Sequence, residues 1–104
     1  SFDFIILDPP AFTKSRQTVD SALRGYREIN RRAMHLLPRG GFLATCSCSH
    51  FMTEELFQKM LRQAASDAGV ALRQIEARQQ GPDHPILWNV PETSYLKFYL
   101  FQVV

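Results

Sequence analysis

The chain has 104 residues, 45% of them hydrophobic and eight of them Phe, which is typical of one packed globular domain and excludes a disordered chain. No apolar stretch approaches the ~20 residues of a membrane-spanning helix, so we expect no membrane partner. The net charge is only +2 and the two cysteines lie two residues apart, which gives no disulfide framework and favours a reducing, cytoplasmic setting.

The first predicted element is a strand over about residues 2 to 8. Its four consecutive large apolar residues are typical of a strand that is buried on both faces in a parallel sheet. An acid and two prolines, Asp8-Pro9-Pro10, end it, because proline cannot continue a ladder. Ligands bind at the carboxyl ends of strands in open α/β sheets. We therefore expect Asp8 to be placed for chemistry, with Phe12 presented beside it.

A helix is predicted over about residues 18 to 37, where apolar side chains recur at steps of three and four. The predicted inward stripe consists of Val19, Leu23, Tyr26, Asn30, Ala33 and Leu37. An unsatisfied amide on this stripe would cost ~1–3 kcal/mol. Asn30 therefore either makes a local hydrogen bond or, together with Tyr26, braces the neighbouring motif loops.

Basic side chains are concentrated around this helix. Residues 14 to 39 contain seven basic and two acidic side chains, a local balance of +5. The pattern fits either a solvated helix face or a surface that faces phosphate, because the guanidinium fork matches phosphate oxygens. In the second interpretation Arg24, Arg27 and Arg31 contact RNA.

The rest of the chain continues the alternation of strand and helix. A second strand is predicted from residue 42 to about 49, followed by a helix that begins after Thr53 as N-cap and ends near Gly69. Residues 70 to 79 alternate weakly, as in an edge strand, and the apolar run 95 to 104 predicts a central strand. This order predicts an α/β fold with a doubly wound sheet, in which the last strand runs antiparallel because no helix precedes it.

The first strand is apolar on both faces, yet no earlier element is available to cover it. We therefore expect half of a doubly wound sheet, with residues 1–104 forming the C-terminal fragment of a larger domain. An open strand edge pairs readily with another chain. A homodimer or a strand-swapped assembly is thus expected of the isolated fragment.

A second polar motif, residues 45–50, ends the second strand next to Asp8. Cys46, Cys48 and His50 would share one face, but three ligands so close on a strand cannot easily surround a metal ion, so we expect no metal site. Either cysteine alone also fits a buried apolar residue. The third interpretation is a catalytic thiolate in a partly exposed niche, and the neighbouring carboxylate favours it.

In their order and separation, these motifs resemble motifs IV and VI of class I S-adenosylmethionine-dependent methyltransferases. More narrowly, the chain resembles the catalytic domain of bacterial large-subunit ribosomal RNA 5-methylcytosine methyltransferases (RlmI-like enzymes). The matching stretches are Asp8-Pro9-Pro10-Ala11-Phe12, Gly25-Tyr26-Arg27-Glu28-Ile29-Asn30, Ser47-Cys48-Ser49, Asp83-His84-Pro85 and Tyr95-Leu96-Lys97. The resemblance covers essentially the whole chain, and it implies the strand order first, second, fourth, third, with the fourth antiparallel.

The resemblance also implies a chemistry. Cys48 would add as a thiolate to carbon 6 of cytosine, which makes carbon 5 nucleophilic towards a methyl sulfonium. Asp8 would hold the exocyclic amine and ring nitrogen 3. Many RNA 5-methylcytosine enzymes carry a further cysteine in the first motif, but residues 9–12 contain none, so the base that removes the carbon 5 proton stays open.

The cofactor implied by the resemblance is S-adenosylmethionine. Asp8, Pro9 and Pro10 would touch only its methyl end, because this chain has no Gly-rich dinucleotide-type loop. We expect a missing N-terminal half to bind most of the cofactor, and the fragment alone to bind it weakly or not at all. Phe12 would stack on a base turned out of its helix, and His84 either lies near the substrate or is a surface turn residue. Tyr26 and Asn30, in a matching stretch of the predicted helix, are also predicted to bind the substrate.

Two alternatives remain. In an amino-methyltransferase, Asp8 and the Pro-Pro turn would hold an exocyclic amine and the thiol would be incidental. In a non-catalytic RNA-binding or dimerisation module, the Arg-rich helix would form the interface. In every case Trp88 and the aromatic residues of the last strand are predicted to lie in the core.

Overall fold

The computed structural model describes residues 3–9, 18–49, 51–79, 88 and 96–104. The elements in this part of the chain are β1 (Phe4–Leu7), α1 (Val19–Leu36), β2 (Phe42–Ser47), α2 (Glu54–Ala68), β3 (Leu72–Arg78) and β4 (Lys97–Val103). The predicted α/β fold with two helices and a four-stranded mixed sheet is confirmed. The predictions for Pro10, Phe12, His50 and His84 lie outside the described residues.

The four strands form one sheet in the order β1-β2-β4-β3. β1 and β2 are parallel, with Leu7 opposite Thr45, so both strands end at the same edge of the sheet. β4 runs antiparallel to both of its neighbours, and Lys97 pairs with Ser47 at the carboxyl end of β2. This register brings the start of β4 to the edge where β1 and β2 end.

Both helices cover the same face of the sheet. α1 contacts α2 and β2, and every second residue of β4 is buried on the covered face, namely Lys97, Tyr99, Phe101 and Val103. Aromatic rings join the layers, since Phe57 of α2 lies 6.2 Å from the ring of Tyr26 and 6.0 Å from that of Tyr99. The core therefore lies between the helix pair and one face of the sheet.

Local signals fix both ends of α2. The Thr53 hydroxyl accepts a hydrogen bond from the Leu56 amide at 3.1 Å, as an N-cap residue does. Gly69 ends the helix with φ +70°, a left-handed conformation that glycine adopts without steric cost. α2 is thus held at a defined start, close to the edge where β2 ends.

Three predictions about burial are wrong. Trp88 is 95% exposed because it lies in a turn and not in a strand that faces the helices. β1 is not buried on both faces, since Phe4 and Ile6 are 51% and 70% exposed and only the alternate residues pack on the core. On α1 the buried stripe includes Met34, whereas Leu23 is only half-buried, because the 3.6-residue repeat shifts the face along the helix.

Candidate active site at the ends of β1 and β2

Asp8 follows β1 directly, and Cys46 lies beside it near the end of β2. The Cys46 thiol donates a hydrogen bond to Oδ1 of Asp8 at 3.1 Å, and its Sγ also lies 3.5 Å from the Leu7 carbonyl oxygen. Burial and the hydrogen bond to Asp8 raise the pKa of Cys46 to about 12. Cys46 is therefore a protonated thiol at neutral pH, and it orients the Asp8 carboxylate by donating to it.

Cys48 lies two residues further along the chain and is exposed. Residues two apart in an extended strand point to the same side, and the burial of Ser47 and Ser49 on the other side is consistent with that alternation. Asp8 is exposed as well. The structure thus brings Asp8 and Cys48 to one edge of the sheet and leaves both side chains accessible.

The two serines that flank Cys48 point inward and hold its main chain. They are 1% and 3% exposed. The Ser47 hydroxyl donates to the Tyr26 hydroxyl and accepts from the Ser49 amide, both at 3.3 Å, and the Ser49 hydroxyl accepts from the Phe51 amide at 3.3 Å. The Ser-Cys-Ser sequence therefore consists of an outward sulfur between two inward hydroxyl groups.

Tyr26 and Asn30 of α1 are 0% and 1% exposed, and they support β2 from the side of the sheet that the helices cover. The Asn30 amide donates to the Tyr26 carbonyl at 2.8 Å and accepts from the Thr45 hydroxyl at 2.7 Å. Both ends of this buried amide are thus satisfied. The structure gives neither residue a surface that could contact a substrate. The described contacts are therefore those of the predicted bracing role, and not of the substrate-binding role that was also predicted for Tyr26 and Asn30.

Lys97 ends one of the matching stretches, Tyr95-Leu96-Lys97, but the sequence did not predict a role for it. It is 1% exposed on the helix-facing side of β4, and its ammonium donates to the Ser49 carbonyl oxygen at 2.6 Å. Burial lowers the pKa of Lys97 to about 8, against the opposing influence of Glu54 and Cys48. The available signal was a lysine at a buried position of an alternating apolar strand, where lysine is rarely found without a partner.

A second polar group lies next to Lys97 on the same face of β4. The Tyr99 hydroxyl donates to the carboxylate of Glu54, and the Gln58 amide donates to the Tyr99 oxygen at 2.8 Å. Burial raises the pKa of Tyr99, and the hydrogen bond to Glu54 raises it further. This group ties the first turn of α2 to β4 beside the candidate site.

The three arginines predicted to contact RNA lie on exposed or half-exposed positions of α1. Arg27 forms an ion pair with Asp67 of α2 at 2.6 Å, and Arg31 pairs with Glu28 at 2.7 Å. Hydrogen bonds from arginine lower the pKa of Glu28 to about 2. In the part of the chain that the structure describes, Arg24 donates to a serine one turn earlier. In the described ranges none of these contacts joins Asp8 or Cys48.

A groove of about 470 Å³ lies between α2 and the β3–β4 side of the sheet. Its apolar lining includes Leu61, Val70 and Phe101, and neither Asp8 nor Cys48 lines it. The groove is therefore separate from the sulfur and carboxylate at the strand ends.

Within the described residues, no group of three histidine, cysteine or acidic side chains could hold a metal ion. No helix in those residues is long and apolar enough to cross a membrane.

Of the predicted cofactor contacts, the structure describes Asp8 and Pro9. Pro9 is half-buried and follows Asp8 at the end of β1. The carboxylate of Asp8 is exposed, and the proline that follows it makes the main chain stiff. The residues present at this edge are thus compatible with contact to one end of a cofactor.

No protein-family model matches the chain. Among curated proteins, ribosomal RNA large subunit methyltransferase I of Cronobacter sakazakii is 44% identical over 104 residues, which is 100% of this chain. The proteins of the same name from Pseudoalteromonas atlantica and Shigella dysenteriae are 47% and 45% identical over 103 residues, or 99% of this chain. The chain is thus similar in sequence to one region of each of these relatives. It spans 26% of the length of each of these relatives.

Solved structures agree with this relationship at the level of the fold. The protein SMU.776, a methyltransferase candidate solved in complex with SAH, superposes with a TM-score of 0.80 at 21% identity over 97% of this chain and 26% of its own. A candidate SAM-dependent methyltransferase from Streptococcus mutans gives a TM-score of 0.78 at 22% identity, over 97% of this chain and 25% of its own. The described sheet and helices therefore have the fold of one region of these proteins.

Proposed function

We propose that the chain is the C-terminal part of the catalytic domain of an S-adenosylmethionine-dependent ribosomal RNA methyltransferase that acts on carbon 5 of cytosine. The names of relatives 44–47% identical over the whole chain support RNA methyl transfer. The chain spans 26% of those relatives, so residues 1–104 are proposed to form a C-terminal fragment of a class I methyltransferase domain.

One observation carries the cytosine-5 assignment. An exposed cysteine, Cys48, lies at the same strand edge as the exposed carboxylate of Asp8. A ring carbon that is a weak nucleophile needs a thiolate to add next to it, and an amine acceptor would need no sulfur at all. The sulfur and the carboxylate together match a pyrimidine that is attacked at carbon 6 and held at its amine.

The proposed chemistry assigns one task to each side chain. The Cys48 thiolate forms a bond to carbon 6, the carbon 5–carbon 6 double bond opens, and carbon 5 becomes the nucleophile. The Asp8 carboxylate accepts a hydrogen bond from the exocyclic amine and stabilises a proton on ring nitrogen 3. When bound, S-adenosylmethionine supplies the electrophilic methyl group. Transfer of the carbon 5 proton to a base, which is not assigned among the described residues, then re-forms the double bond and expels the Cys48 thiolate.

Cys46 takes a different part in this proposal. Its thiol is held protonated by burial and by its hydrogen bond to Asp8, so it is unsuited to attack a ring. We assign it to orienting the carboxylate. Cys48, whose thiol is exposed at the edge, is the proposed nucleophile.

Trapping on RNA that contains 5-fluorocytosine tests the proposal. The full-length protein is expected to form a stable covalent adduct, since fluorine at carbon 5 cannot leave as a proton would. Cys48→Ala should abolish the adduct and Cys46→Ala should retain it. Methyl transfer without any adduct would overturn the cytosine-5 proposal and favour an amino-methyltransferase, in which Asp8 and Pro9 hold an exocyclic amine.

S-adenosylmethionine is the proposed cofactor, and most of its contacts would come from outside this chain. Among the described residues, Asp8 and Pro9 are the proposed contacts of its methyl end. Calorimetric titration of the isolated chain should therefore give weak or undetectable binding. Micromolar affinity of the monomeric chain would contradict this division of the site.

Ribosomal RNA and a cytoplasmic setting are the proposed partner and location. Among the described contacts of the three predicted arginines, Arg27 and Arg31 form ion pairs with acidic side chains, whereas Arg24 donates to a serine. A second proposed association concerns β1, whose Phe4 and Ile6 are exposed at the edge of the described sheet. That edge supports a homodimer or strand-swapped assembly of the isolated chain, which analytical ultracentrifugation would detect.

A further inference from the structure

The groove between α2 and the β3–β4 side of the sheet takes no part in the candidate site, although it encloses about 470 Å³. Its α2 wall is formed by residues between Gln58 and Ser66 that recur with the helical repeat. Eight residue steps along a helix correspond to about 12 Å. The opposite wall consists of Leu72, Gln74, Tyr99 and Phe101. The groove therefore follows α2 over about two turns.

The sheet wall of the groove includes the edge strand β3. Six of the seven residues of β3 are exposed. Leu72 and Gln74 are the register partners of Val103 and Phe101, which are buried on the helix-facing side of the sheet. An apolar sheet face is normally covered by a further layer. In the part of the chain that the structure describes, α1 and α2 leave this side of β3 open to solvent.

The lining of the groove is mainly apolar and carries one formal charge. Leu61, Val70 and Phe101 are apolar, and Arg62 is the charged side chain among the described residues that line the groove. Arg62 is exposed and forms no ion pair within the described ranges. An occupant that complements this lining has an apolar surface and an acidic group opposite Arg62.

Two observations favour a protein segment over RNA as the occupant. RNA binding depends on several cations that neutralise phosphates, whereas the described lining of the groove has one. Single-stranded bases also stack on accessible aromatic faces, but Tyr99 and Phe101 are only 3% and 8% exposed. Amphipathic helices, in contrast, bind in apolar grooves, and a helix beside α2 would extend the helix layer over β3.

The length of the relatives indicates the source of such a helix. The matched region is 26% of each relative's length, so most of each of those polypeptides lies outside it. A segment of the same polypeptide binds at a high effective concentration, and it needs fewer contacts than a separate peptide does. A groove of about two helical turns therefore matches an intramolecular partner better than a free one.

We propose that the groove binds an amphipathic helix from the part of the full-length polypeptide outside residues 1–104. The apolar face of this helix packs on Leu61 and Leu72, and a carboxylate of the helix pairs with Arg62. The inference rests on the proposed status of the chain as a fragment of a larger protein. It does not depend on the proposed cytosine-5 chemistry.

The first test compares two variants of the full-length protein that carry the same substitution. Gln74 and Gln63 are both exposed in the described structure, but only Gln74 lines the groove. With the helix bound, Gln74→Cys should react with iodoacetamide at least about tenfold more slowly than Gln63→Cys, because only transiently opened molecules react. Peptide mass spectrometry after timed quenching gives both rates. Equal rates would overturn the inference.

Arg62→Glu tests the acidic group of the occupant. Combined with Gln74→Cys, it should turn attraction into repulsion and raise the alkylation rate at position 74 about fivefold or more, whereas Arg62→Lys should keep the slow rate. Lys59→Glu is the matched control, since it makes the same change of charge at an exposed position of α2 that does not line the groove. A rate that responds to both Glu variants equally, or to neither, would overturn the assigned pairing with Arg62.

Photo-crosslinking identifies the occupant. A p-benzoylphenylalanine is placed at position 66, where Ser66 lines the groove, in the full-length protein with RNA present. A mixture of isotopically light and heavy protein separates cross-links within one polypeptide from those between two. A cross-link within one polypeptide to a peptide outside residues 1–104 supports the inference. A cross-link to RNA, to a second copy or to no peptide would overturn it.

The groove inference and the cytosine-5 proposal fail separately. If Cys48 is trapped on 5-fluorocytosine RNA but position 74 reacts as fast as position 63, only the groove inference is wrong. If position 74 is protected and position 66 cross-links within the polypeptide, while no adduct forms on RNA, the cytosine-5 proposal is wrong and the groove inference stands.

Discussion

The two faces of β2 differ in their chemistry although they alternate residue by residue along one strand. On the helix side Thr45, Ser47 and Ser49 are buried, and each hydroxyl makes a hydrogen bond. On the other side Cys46 is half-buried and Cys48 is exposed. One face is thus a row of hydroxyl groups fixed by the core, and the other is a row of sulfurs that reaches the edge of the sheet.

The difference indicates how a small domain can hold a reactive group at its surface. An exposed side chain makes few contacts that could fix it, so its main chain has to be held from the opposite face. The Ser49 carbonyl and the Ser47 hydroxyl provide that support through Lys97 and Tyr26. The polar residues of the core are therefore explained by the position of the sulfur that they support.

Cys48→Ala should cause the largest functional change, because it removes the outward sulfur and leaves the inward hydroxyl row intact. We expect methyl transfer to RNA by the full-length protein to fall by more than about a thousandfold. The thermal midpoint should change little, since the side chain is exposed. Incorporation of labelled methyl groups and thermal unfolding measure the two effects. If Cys48→Ala kept methyl-transfer activity close to that of the parent, the sulfur side of β2 would have no special role in the reaction.

The two sulfurs should differ strongly in reactivity. Burial and Asp8 raise the pKa of Cys46 to about 12, so alkylation at neutral pH should modify Cys48 first, by about a hundredfold or more. Asp8→Asn should lower the pKa of Cys46 and speed its alkylation. Peptide mass spectrometry after timed quenching measures both rates, and equal rates would contradict the hydrogen bond to Asp8.

The same shift predicts a change of stability with pH. The folded state keeps Cys46 protonated up to a pKa of about 12, against an ordinary value of 9.0. Its contribution to the free energy of unfolding is therefore complete below pH 9.0 and is lost as the pH rises towards about 12. Urea unfolding of the parent and of Cys46→Ala over this range should converge at high pH. If the difference in free energy of unfolding between the parent and Cys46→Ala stayed the same at every pH, the predicted contribution of Cys46 would be excluded.

Asn30→Leu should lower the free energy of unfolding by about 1–3 kcal/mol, because it removes the buried amide oxygen that accepts the hydrogen bond of the Thr45 hydroxyl. The free energy of unfolding in urea measures this. Arg24→Ala, an exposed change on the same helix, is the matched control and should stay within about 0.5 kcal/mol of the parent. If Asn30→Leu left the free energy of unfolding unchanged, β2 would need no support from α1.

Arg27→Ala should have the smallest effect. The Arg27–Asp67 pair links α1 to α2, but its side chains are 42% and 35% exposed, so water and salt screen it. The urea midpoint should move less than in Asn30→Leu, and added salt should reduce the difference further. A shift as large as that of Asn30→Leu would show that the helix pair depends on this contact.

Much of this arrangement could be predicted from the sequence because the signals were local. Thr53 and Gly69 marked the ends of α2, since a hydroxyl cap and a left-handed glycine act within one turn. The neighbouring ends of β1 and β2 followed from the order of strands and helices. Asp8 and Cys48 were therefore expected at the same edge, where the structure has them.

Other features depended on which face each residue takes, and local patterns did not determine this. The apolar run of β1 predicted burial on both faces, but the helices cover one face and Ile6 is 70% exposed. Asn30 and Tyr26 matched a motif, yet their contact with β2 depends on how α1 packs. Lys97 lay in a matching stretch, but its contact could not be predicted because its partner, the Ser49 carbonyl, is distant in sequence.

The alternation at the end of β2 has a consequence for how this segment can vary. Deleting or inserting one residue between Phe42 and Ser47 would invert the strand, so that hydroxyl groups would meet solvent and both sulfurs would turn towards the helices. Changes in length before β2 could be absorbed by the turn at Gly40, whereas a change within the strand could not. The spacing from Thr45 to Ser49 is thus as decisive as the identity of the sulfur that it carries.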